Sequence, residues 1–394
     1  MRKLIIIAFL FSWLMAQEDV ISLPSGARLD LPHTANVRVD TIMVKSGATF
    51  AAESPRDFSE AIATGNGTII TGQPLVSSVS SSTSDGAYNA GDTVLVTITF
   101  SENVTVTGTP QLTMETGSTD AVLNYVSGSG TAILVFRYIV ASGHTSADLA
   151  YSSTTALTAL TADASVGIRD NLVNDGVLTL PVPGATNSLQ ANKALVIDTE
   201  APTAGTVSDG SGTDVTYSGS STSVTANWTG FSDALSGIGG YEIAVGTTSG
   251  ATNVVSWTSA GNVTTYTKSD LTLTHATRYY VSTRALDAAG NYSSAATANG
   301  VIIDVVAPSS TVSIDSTTYN ASEWDAATAI TGTAADTNSG LSLVETSIQR
   351  SADSYYWTGS EWSATEQWLS LTGTSTWNYA ISSANLTDGA TFTV

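Results

Sequence analysis

The chain has 394 residues, too many for one β-sandwich of roughly 100 residues, so we expect about three or four domains. Thr, Ser, Gly, Ala and Val dominate and charged residues make up only 12%, which is typical of short strands joined by turns. A net charge of −21 disfavours nucleic acid and anionic membranes as partners, because such a surface repels both. The absence of cysteine excludes disulfides, Cys-ligated zinc and thiol catalysis.

The N-terminus has the pattern of a secretory signal peptide. Arg2 and Lys3 precede the apolar run Leu4–Leu14, and Ala16 then precedes acidic residues. The run is about half of the ~20 residues that a bilayer-spanning helix needs, so a cleaved signal is favoured over a retained anchor. The sequence predicts that residues 1–16 are removed, that the mature chain has no transmembrane segment, and that it is secreted or displayed at the cell surface.

Residues 17–74 differ from the rest of the chain and are predicted to form a small β-rich lead-in. The segment Val37–Gly47 mixes apolar and polar residues up to a Ser-Gly turn, which is typical of a strand. The segment Ala61–Thr71 predicts a second pair of strands, joined as a hairpin by a turn at Asn66-Gly67.

Residues 75–199 show the alternation of a half-buried sheet. In Thr93–Phe100, the side chains of Val94, Val96, Ile98 and Phe100 share one face. Further strands are predicted at Gln111–Met114, Ala121–Tyr125, Ala132–Val140 and Val177–Leu180. Short strands at roughly ten-residue spacing, with turn residues between them, predict an immunoglobulin-like β-sandwich.

Two internal repeats report the period of one sandwich. Leu195–Pro202 recurs as Val301–Pro308, with Asp198 and Asp304 106 residues apart. Asp233–Ile238 recurs as Asp336–Leu341, 103 residues apart. These spacings predict domain boundaries near residues 200 and 306, where Ala-Pro pairs stiffen the chain because proline fixes φ. The predicted fold class is therefore all-β, with tandem immunoglobulin-like β-sandwiches at 75–199, 200–305 and 306–394 after the lead-in.

Residues 200–305 resemble a fibronectin type III or related bacterial immunoglobulin-like domain over their whole length. Trp228 stands where such domains bury a tryptophan, Leu273 precedes Tyr279 by six residues, and Asp287–Asn291 follows as an Asp-Ala-Ala-Gly-Asn turn. The resemblance implies that Trp228, Leu273 and Tyr279 are structural, with the Tyr279 hydroxyl bonded back to the backbone at a corner.

The flanking domains resemble other repeats of bacterial secreted and cell-surface proteins. Residues 75–199 carry Gly91-Asp-Thr, Phe100–Leu112 and Tyr125–Thr131, but the usual Asp-x-x-Gly-Asn turn is altered to Asp170–Asn174. Residues 306–394 carry Tyr356–Trp362 and Trp377–Tyr379, and the expected closing turn does not occur before Val394. We therefore expect this last domain to be incomplete and the parent protein to be longer.

The sequence predicts no catalytic residues. The three histidines, His33, His144 and His275, lie in separate segments without metal-ligand spacing, and each is interpreted as a surface or turn residue. No nucleophile elbow, phosphate loop or dinucleotide motif occurs. Many of the acidic residues stand in turn motifs between predicted strands, where Asx-turn hydrogen bonding explains them.

Calcium is the one cofactor that the sequence favours at all. Asp198, Glu200 and Asp304 lie at predicted domain joints, and Asp287 and Asn291 lie in a loop at a domain end. Clustered carboxylate and amide oxygens on loops are the ligands that Ca²⁺ prefers. The alternative interpretation is that these residues cap turns and connect domains.

The last domain offers a candidate carbohydrate site. Tyr356, Trp357 and Trp362 have aromatic faces suited to stacking on sugars, whereas the alternative is that they fill a small hydrophobic core.

Taken together, these features predict a non-catalytic extracellular scaffold, the stalk or adhesin region of a larger surface protein, with matrix, glycan or cell-surface ligands as partners. Two alternatives stay open. The domains are accessory modules of a secreted hydrolase whose catalytic domain lies beyond residue 394, or the last domain is a carbohydrate-binding module.

Overall fold

The structure, a computed structural model, describes six short strands between Val20 and Ile70 and then residues 73–159, 167–171, 174–314, 318–327, 330–371 and 375–394. The predicted signal peptide, His33 and the Asn66-Gly67 turn lie outside the described residues. The regular structure is overwhelmingly strand, so the all-β prediction is confirmed. Helical segments are limited, within these ranges, to α1 (Leu189–Asn192), α2 (Ala321–Ala327) and a 3₁₀ turn (Ser383–Asn385). None of the described helices has the length and apolar character that crossing a membrane requires.

The chain forms two compact units. The first comprises residues up to Thr203 together with Ser232–Gly239 and Leu286–Ser293. The second comprises Ala204–Phe231, Gly240–Ala285 and Ser294–Val394. The short stretches 232–239 and 286–293 carry two of the aspartate-rich loops, and they therefore belong to the same unit as Asp198. The predicted domain boundaries near 200 and 306 stay a prediction.

The lead-in folds as two parallel sheets, and the predicted hairpin at Asn66-Gly67 is wrong. The sheets have the orders β1-β3-β5 and β2-β4-β6, so the two strands on either side of the turn belong to different sheets. The strands are β1 (Val20–Leu23), β2 (Arg28–Leu31), β3 (Thr41–Val44), β4 (Thr49–Ala52), β5 (Ile62–Thr64) and β6 (Thr68–Ile70). Val20 pairs with Thr41 and Arg28 pairs with Thr49, both 21 residues apart. The sequence carries the same period, since Ser-Gly-Ala at 25–27 recurs at 46–48.

The next part of the first unit contains a large sheet of order β14-β10-β11-β12-β9-β16, to which β7 and β15 add, and a smaller sheet β13-β17-β8. The strands are β7 (Val76–Ser81), β8 (Gly86–Tyr88), β9 (Thr93–Thr107), β10 (Gln111–Glu115), β11 (Ala121–Ser127), β12 (Thr131–Ile139), β13 (Thr145–Ser146), β14 (Ala150–Tyr151), β15 (Leu157–Thr158), β16 (Gly167–Arg169) and β17 (Leu195–Asp198).

The alternation in β9 determines the core of this part. Val94, Val96, Ile98 and Phe100 are all buried, in a cluster with Leu112, Leu134 and Phe136 from neighbouring strands. The strand predicted at Val177–Leu180 is wrong, because the structure has only an isolated bridge between Leu75 and Val177 there. Leu180 is nevertheless buried in the same cluster, so its hydrophobicity reflects core packing rather than strand pairing.

Residues 206–303 form two sheets of orders β18-β20-β23 and β19-β26-β24-β21-β22, with β25 on β24. The strands are β18 (Thr206–Asp209), β19 (Tyr217–Ser218), β20 (Val224–Thr229), β21 (Ile238–Gly246), β22 (Val255–Gly261), β23 (Thr265–Lys268), β24 (Arg278–Asp287), β25 (Ala296–Thr297) and β26 (Val301–Ile303). In the second unit, the buried ring of Trp228 packs on Tyr241 at a centroid distance of 5.4 Å.

The last part of the second unit is made of short strands in three sheets, β27-β28-β34, β29-β33 and β32-β31-β30-β35. The strands are β27 (Ser309–Ser313), β28 (Ile330–Ala335), β29 (Glu345–Thr346), β30 (Gln349–Arg350), β31 (Tyr355–Trp357), β32 (Trp362–Ser363), β33 (Leu369–Ser370), β34 (Thr376–Tyr379) and β35 (Phe392–Thr393). Their core contains Ile330, Ile348, Trp357 and Trp377.

One buried carboxyl in the second unit is only partly compensated. Asp209, at the end of β18, is fully buried; one of its oxygens accepts a hydrogen bond from the Gly300 amide (2.8 Å), and Oδ1 has no partner. Burial raises the pKa of Asp209 to about 6, an effect that Asp214 reinforces and that the Gly300 amide and Arg278 oppose. Because its pKa is higher in the folded chain than in the unfolded one, this carboxyl stabilises the fold at pH values below its unfolded pKa, and the contribution is lost as pH rises through about 6.

The Asp209→Asn variant should therefore gain stability relative to the wild type as pH rises from 4 to 7, because each unit of pKa shift corresponds to about 1.4 kcal/mol. Urea denaturation of both proteins across this range measures the difference. Ser208→Ala, an uncharged change at the preceding residue, serves as the control, and its difference from the wild type should not change with pH. A constant difference for Asp209→Asn would contradict the prediction.

Candidate functional site at the linker aspartates

Asp198, the last residue of β17, is the centre of a hydrogen-bonded cluster in the first unit. Its side chain is fully buried. Oδ1 accepts from the Glu200 amide (3.1 Å), and Oδ2 accepts from both the amide and the hydroxyl of Ser236 (3.2 and 2.5 Å). A carboxylate removed from water is stable only when hydrogen bonds or charges replace its hydration, and Ser236 supplies two of these bonds.

Asp233 holds the loop that presents Ser236. Its Oδ1 accepts hydrogen bonds from the amides of Leu235, Ser236 and Gly237 at 2.8–3.0 Å. Gly237 has φ +76°, a left-handed conformation that a side chain would strain. The Asp-x-x-Ser-Gly pattern is thus a self-capping turn, and it explains why this motif recurs in the sequence.

A third loop closes the cluster. Asp287 accepts hydrogen bonds from the amides of Gly290 and Asn291 (2.6 and 2.8 Å) and from the Asn291 side chain (2.8 Å). Asn291 Nδ2 also donates to the Asp198 carbonyl (3.0 Å), and the Ala288 amide donates to the Gly237 carbonyl (3.0 Å). Each loop is therefore bonded to the other two. We call this cluster of Asp198, Asp233, Ser236, Asp287 and Asn291 the first joint.

The second unit contains a second joint with the same pattern, built from Asp304, Asp336 and Ser339. Asp304 Oδ2 accepts from the Ser339 amide (2.9 Å), and Asp336 Oδ1 accepts from the amides of Asn338 and Gly340 (3.0 and 2.9 Å). Hydrogen bonding by the Ser339 side chain, more than any other effect, lowers the pKa of Asp304. Gly340 has φ +75°, as Gly237 does in the first joint. In each joint, the aspartate of one repeat, Asp198 or Asp304, contacts the serine of the other repeat, Ser236 or Ser339.

His275 takes a place in the second joint that the sequence did not predict. Its Nδ1 lies 3.5 Å from Asp304 Oδ1 and accepts from the Val305 amide (3.4 Å), while Nε2 lies 3.0 Å from Asn338 Nδ2. The imidazole therefore contacts both the linker and the loop that holds Ser339.

The structure brings together three of the five residues predicted to hold calcium. Asp198, Asp287 and Asn291 meet in the first joint, and Asp304 lies in the second. Glu200 is exposed, and it takes part in the first joint only through its backbone amide, which donates to Asp198. Asp233, which was not among the predicted calcium ligands, completes a set of three carboxylates, and one oxygen from each lies within 4.8 Å of the other two. This separation matches two oxygens on one Ca²⁺, for which Ca–O distances are about 2.3–2.6 Å.

The altered turn at Asp170–Asn174 keeps the hydrogen bonds of the Asp287–Asn291 turn. Asn174 donates through its amide to Asp170 Oδ1 and through its side chain to Oδ2, both at 2.7 Å. The Asp170 amide donates to the Asn174 carbonyl (3.1 Å), as the Asp287 amide does to Asn291. The aspartate and the asparagine are sufficient for these bonds, although the glycine between them is replaced by Val173.

The predicted carbohydrate residues contact one another and other aromatic groups. Trp357 is buried in the core of the last part, and its Nε1 donates to the Tyr379 hydroxyl (2.9 Å). Trp362 stacks on Phe392 at 5.5 Å, and the Arg350 guanidinium lies 4.7 Å from its ring centre. Tyr356 is half-buried. Sugar binding by these residues stays a prediction, and Trp368 is the tryptophan of this part that is most exposed, at 58%.

The three residues assigned structural roles by resemblance are all buried. Trp228, Leu273 and Tyr279 are 3–6% exposed. The Tyr279 hydroxyl accepts a hydrogen bond from the Thr274 amide (3.0 Å), which fixes the chain where it enters β24.

Solved structures that resemble the chain come from several contexts. Domains A168-A170 of titin are 16% identical over 60% of this chain and 69% of theirs, with a TM-score of 0.31. The FN1-FN3 domains of chicken CNTN1 are 14% identical over 82% of this chain and 92% of theirs, with a TM-score of 0.27. FdeC, an Escherichia coli adhesin, is 16% identical over 76% of this chain and 86% of its own, with a TM-score of 0.34.

No protein-family model and no curated protein matches the chain. At these scores the structural similarities assign no function, and the fold described above rests on the strands and their pairing.

Removing the Ser236 hydroxyl should loosen the first joint. The Ser236→Ala variant leaves a buried carboxylate oxygen with one hydrogen bond fewer, at a cost of about 1–3 kcal/mol. Because about 1.4 kcal/mol corresponds to a factor of ten, amide exchange over residues 198–203 should accelerate about 5- to 150-fold, as measured by hydrogen–deuterium exchange. The exposed Ser351 provides a matched Ser→Ala control, which should leave this segment unchanged. Equal exchange in the two variants would contradict the assigned role of Ser236.

Proposed function

We propose that the chain is a non-catalytic extracellular scaffold, a load-bearing or spacer region of a secreted or surface-displayed protein. The observation that carries this proposal is the repeated joint. In both joints a linker aspartate at or just after the end of a strand is bound by a serine of an Asp-x-x-Ser-Gly turn 35–38 residues further on.

The Ala-Pro pairs that follow the joints support the same function. Asp198 and Asp304 are each followed, three residues later, by an alanine and a proline. Proline restricts both its own φ and the conformation of the residue before it, so the linker is stiff where the hydrogen bonds end. A connection held from both directions is suited to passing force from one domain to the next.

The described histidines support a non-catalytic role, because each has a structural partner. His144 Nδ1 lies 2.9 Å from the Tyr138 hydroxyl, and their rings stack at 5.8 Å. His275 lies between Asp304 and Asn338 in the second joint.

An adhesive role is the more specific form of this proposal, with matrix, glycan or cell-surface ligands as partners. The signal peptide predicted at residues 1–16 favours it. The alternative, accessory modules of a secreted hydrolase, stays a prediction that the domain composition of the full gene product would decide.

Single-molecule force spectroscopy tests the scaffold function. The chain, tethered at both ends, should unfold in separate peaks with contour-length increments of roughly 30–35 nm, because a sandwich of about 100 residues extends by ~3.3–3.6 Å per residue. Ser236→Ala should lower the force of the peak that includes the first joint, whereas Ser351→Ala should leave that peak unchanged. Unfolding in one cooperative event, or without measurable resistance, would overturn the proposal.

We also propose, as a second candidate function, that the first joint binds Ca²⁺. The observation that favours it is electrostatic. One oxygen from each of three carboxylates lies within 4.8 Å of the other two, and two of these carboxylates are almost fully buried. Among the described residues, none of the three forms an ion pair with a cationic side chain. Like charges at this distance repel one another strongly where water is excluded, and a divalent cation removes that repulsion.

Calcium should therefore raise the melting temperature of the chain. With a dissociation constant of about 0.1–1 mM, the range of extracellular modules, 10 mM Ca²⁺ stabilises the site by about 1.4–2.7 kcal/mol relative to EDTA. Asp233→Asn should abolish the increase, and Asp336→Asn, the equivalent change in the second joint, should retain it. Identical melting curves in Ca²⁺ and EDTA would refute the site and would leave the scaffold proposal unaffected.

A further inference from the structure

A cleft of about 360 Å³ opens between β11 and β12 in the first unit. The ladder between these strands runs from Ser127–Val135 to Asn124–Arg137 and ends there. Both strands continue past that point but no longer pair with each other. Ala121–Leu123 stay paired only with β10, and Tyr138 and Ile139 stay paired only with β9. The strand pairs β10-β11 and β12-β9 thus diverge at this end of the sheet, and the cleft occupies the gap between them.

Unpaired backbone groups face this gap. In an antiparallel ladder, successive residues direct their N–H and C=O groups to opposite sides. Asn124 and Arg137 are paired across β11 and β12, so the next residues to point toward each other are Val122 and Ile139, which the ladder does not include. A polypeptide entering the cleft meets free main-chain donors and acceptors on both sides, as in recognition by strand addition.

The side chains around the cleft are apolar and exposed. Val122, Val126 and Ile139 are 50–54% exposed, and Ile133 on the same outer face is 47% exposed. Contiguous exposed apolar side chains on a soluble domain mark an interaction surface more often than isolated ones do. With alternation of period two, these residues suit a strand that presents apolar side chains at every second position.

Arg137 gives the surface its charge. It lies directly opposite Asn124, is exposed, and forms no ion pair among the described residues. No carboxylate lines the cleft, whose polar residues are Asn124, Arg137, His144 and two tyrosines. The chain as a whole has a net charge of −21, so this guanidinium among apolar residues makes a locally positive surface. Such a surface favours binding of a carboxylate from a partner.

We propose that this cleft binds an extended peptide segment of a partner protein, with one acidic residue flanked by apolar residues two positions away on either side. The acid pairs with Arg137, the apolar side chains cover Val122 and Ile139, and the main chain bonds to the unpaired backbone groups. A second copy of the same face is a poorer occupant, because it would bring a second Arg137 and no carboxylate. This site is separate from the joints, so it stands or falls independently of the scaffold proposal.

A displayed library of random heptapeptides, selected on the full chain and counter-selected on its Arg137→Gln variant, tests the proposal. The enriched peptides should share an Asp or Glu with Val, Ile or Leu at positions ±2. In fluorescence anisotropy, a labelled enriched peptide should bind at least tenfold more weakly to Arg137→Gln and to Ile139→Thr than to the wild type. Replacing its acid by the corresponding amide should weaken binding by a similar factor.

Val182→Thr provides the matched control, because Val182 is as exposed as Ile139 but does not line the cleft. It should bind like the wild type, and circular dichroism melting should show that all three variants fold. Enriched peptides without an acid, binding that survives Arg137→Gln, or a failure to enrich any peptide would overturn the proposal. Self-association in sedimentation that Ile139→Thr abolishes would also overturn it, since a second copy would then occupy the face.

Discussion

A carboxylate that leaves water must replace its lost hydration with hydrogen bonds from the protein, and in this chain that requirement determines how the segments after β17 and β26 are held. Asp198 is fully buried, so its two oxygens need donors, and the nearest local donor is only the Glu200 amide. The remaining donors come from Ser236. The loop containing Ser236 can supply them only because Asp233 and a left-handed glycine have already shaped it.

The same logic explains why the turns are rich in aspartate, serine and asparagine rather than simply polar. Asp170 with Asn174, and Asp287 with Asn291, use one side chain to accept from the backbone and the other to donate, so each turn satisfies its own polar groups. The polar groups of such a turn are hydrogen-bonded whether the turn is exposed to water or buried. In the first joint the turn has one donor to spare, and Asn291 uses it to bind the carbonyl of Asp198.

Much of the strand structure could be predicted from alternation, because burial of one face imposes it directly. The strands at Gln111, Ala121 and Thr131 begin within one residue of their predicted starts. Which strands pair with one another is harder to predict from the sequence. Alternation in residues 17–74 indicates strands but says nothing about parallel or antiparallel pairing, and the Asn66-Gly67 dipeptide favoured a hairpin that does not form. The β9 strand also continues through the polar Ser101–Asn103 to Thr107, because β16 pairs with its far end.

The candidate site shows a similar limit. Both repeats were visible in the sequence, but the contact between them joins residues 35–38 positions apart, and no local pattern reports it. From the sequence alone, Asp233 has the pattern of a turn residue and Asp198 that of a residue at a predicted domain joint. The sequence also does not distinguish aromatic residues that stack on a sugar from those that fill a core. Only the structure shows that Trp357 contacts Tyr379 and that Trp362 stacks on Phe392.

The direction of the joints has a consequence for how the chain is made. Beyond the local Glu200 amide, the donors to Asp198 lie 38 and 93 residues downstream of it, at Ser236 and Asn291. A chain synthesised from its N-terminus presents Asp198 long before either of these donors emerges, so the Asp198 side chain stays hydrated until the later segment has been made. Each joint is therefore completed by residues that follow it in the sequence, and the joints form in one direction along the chain.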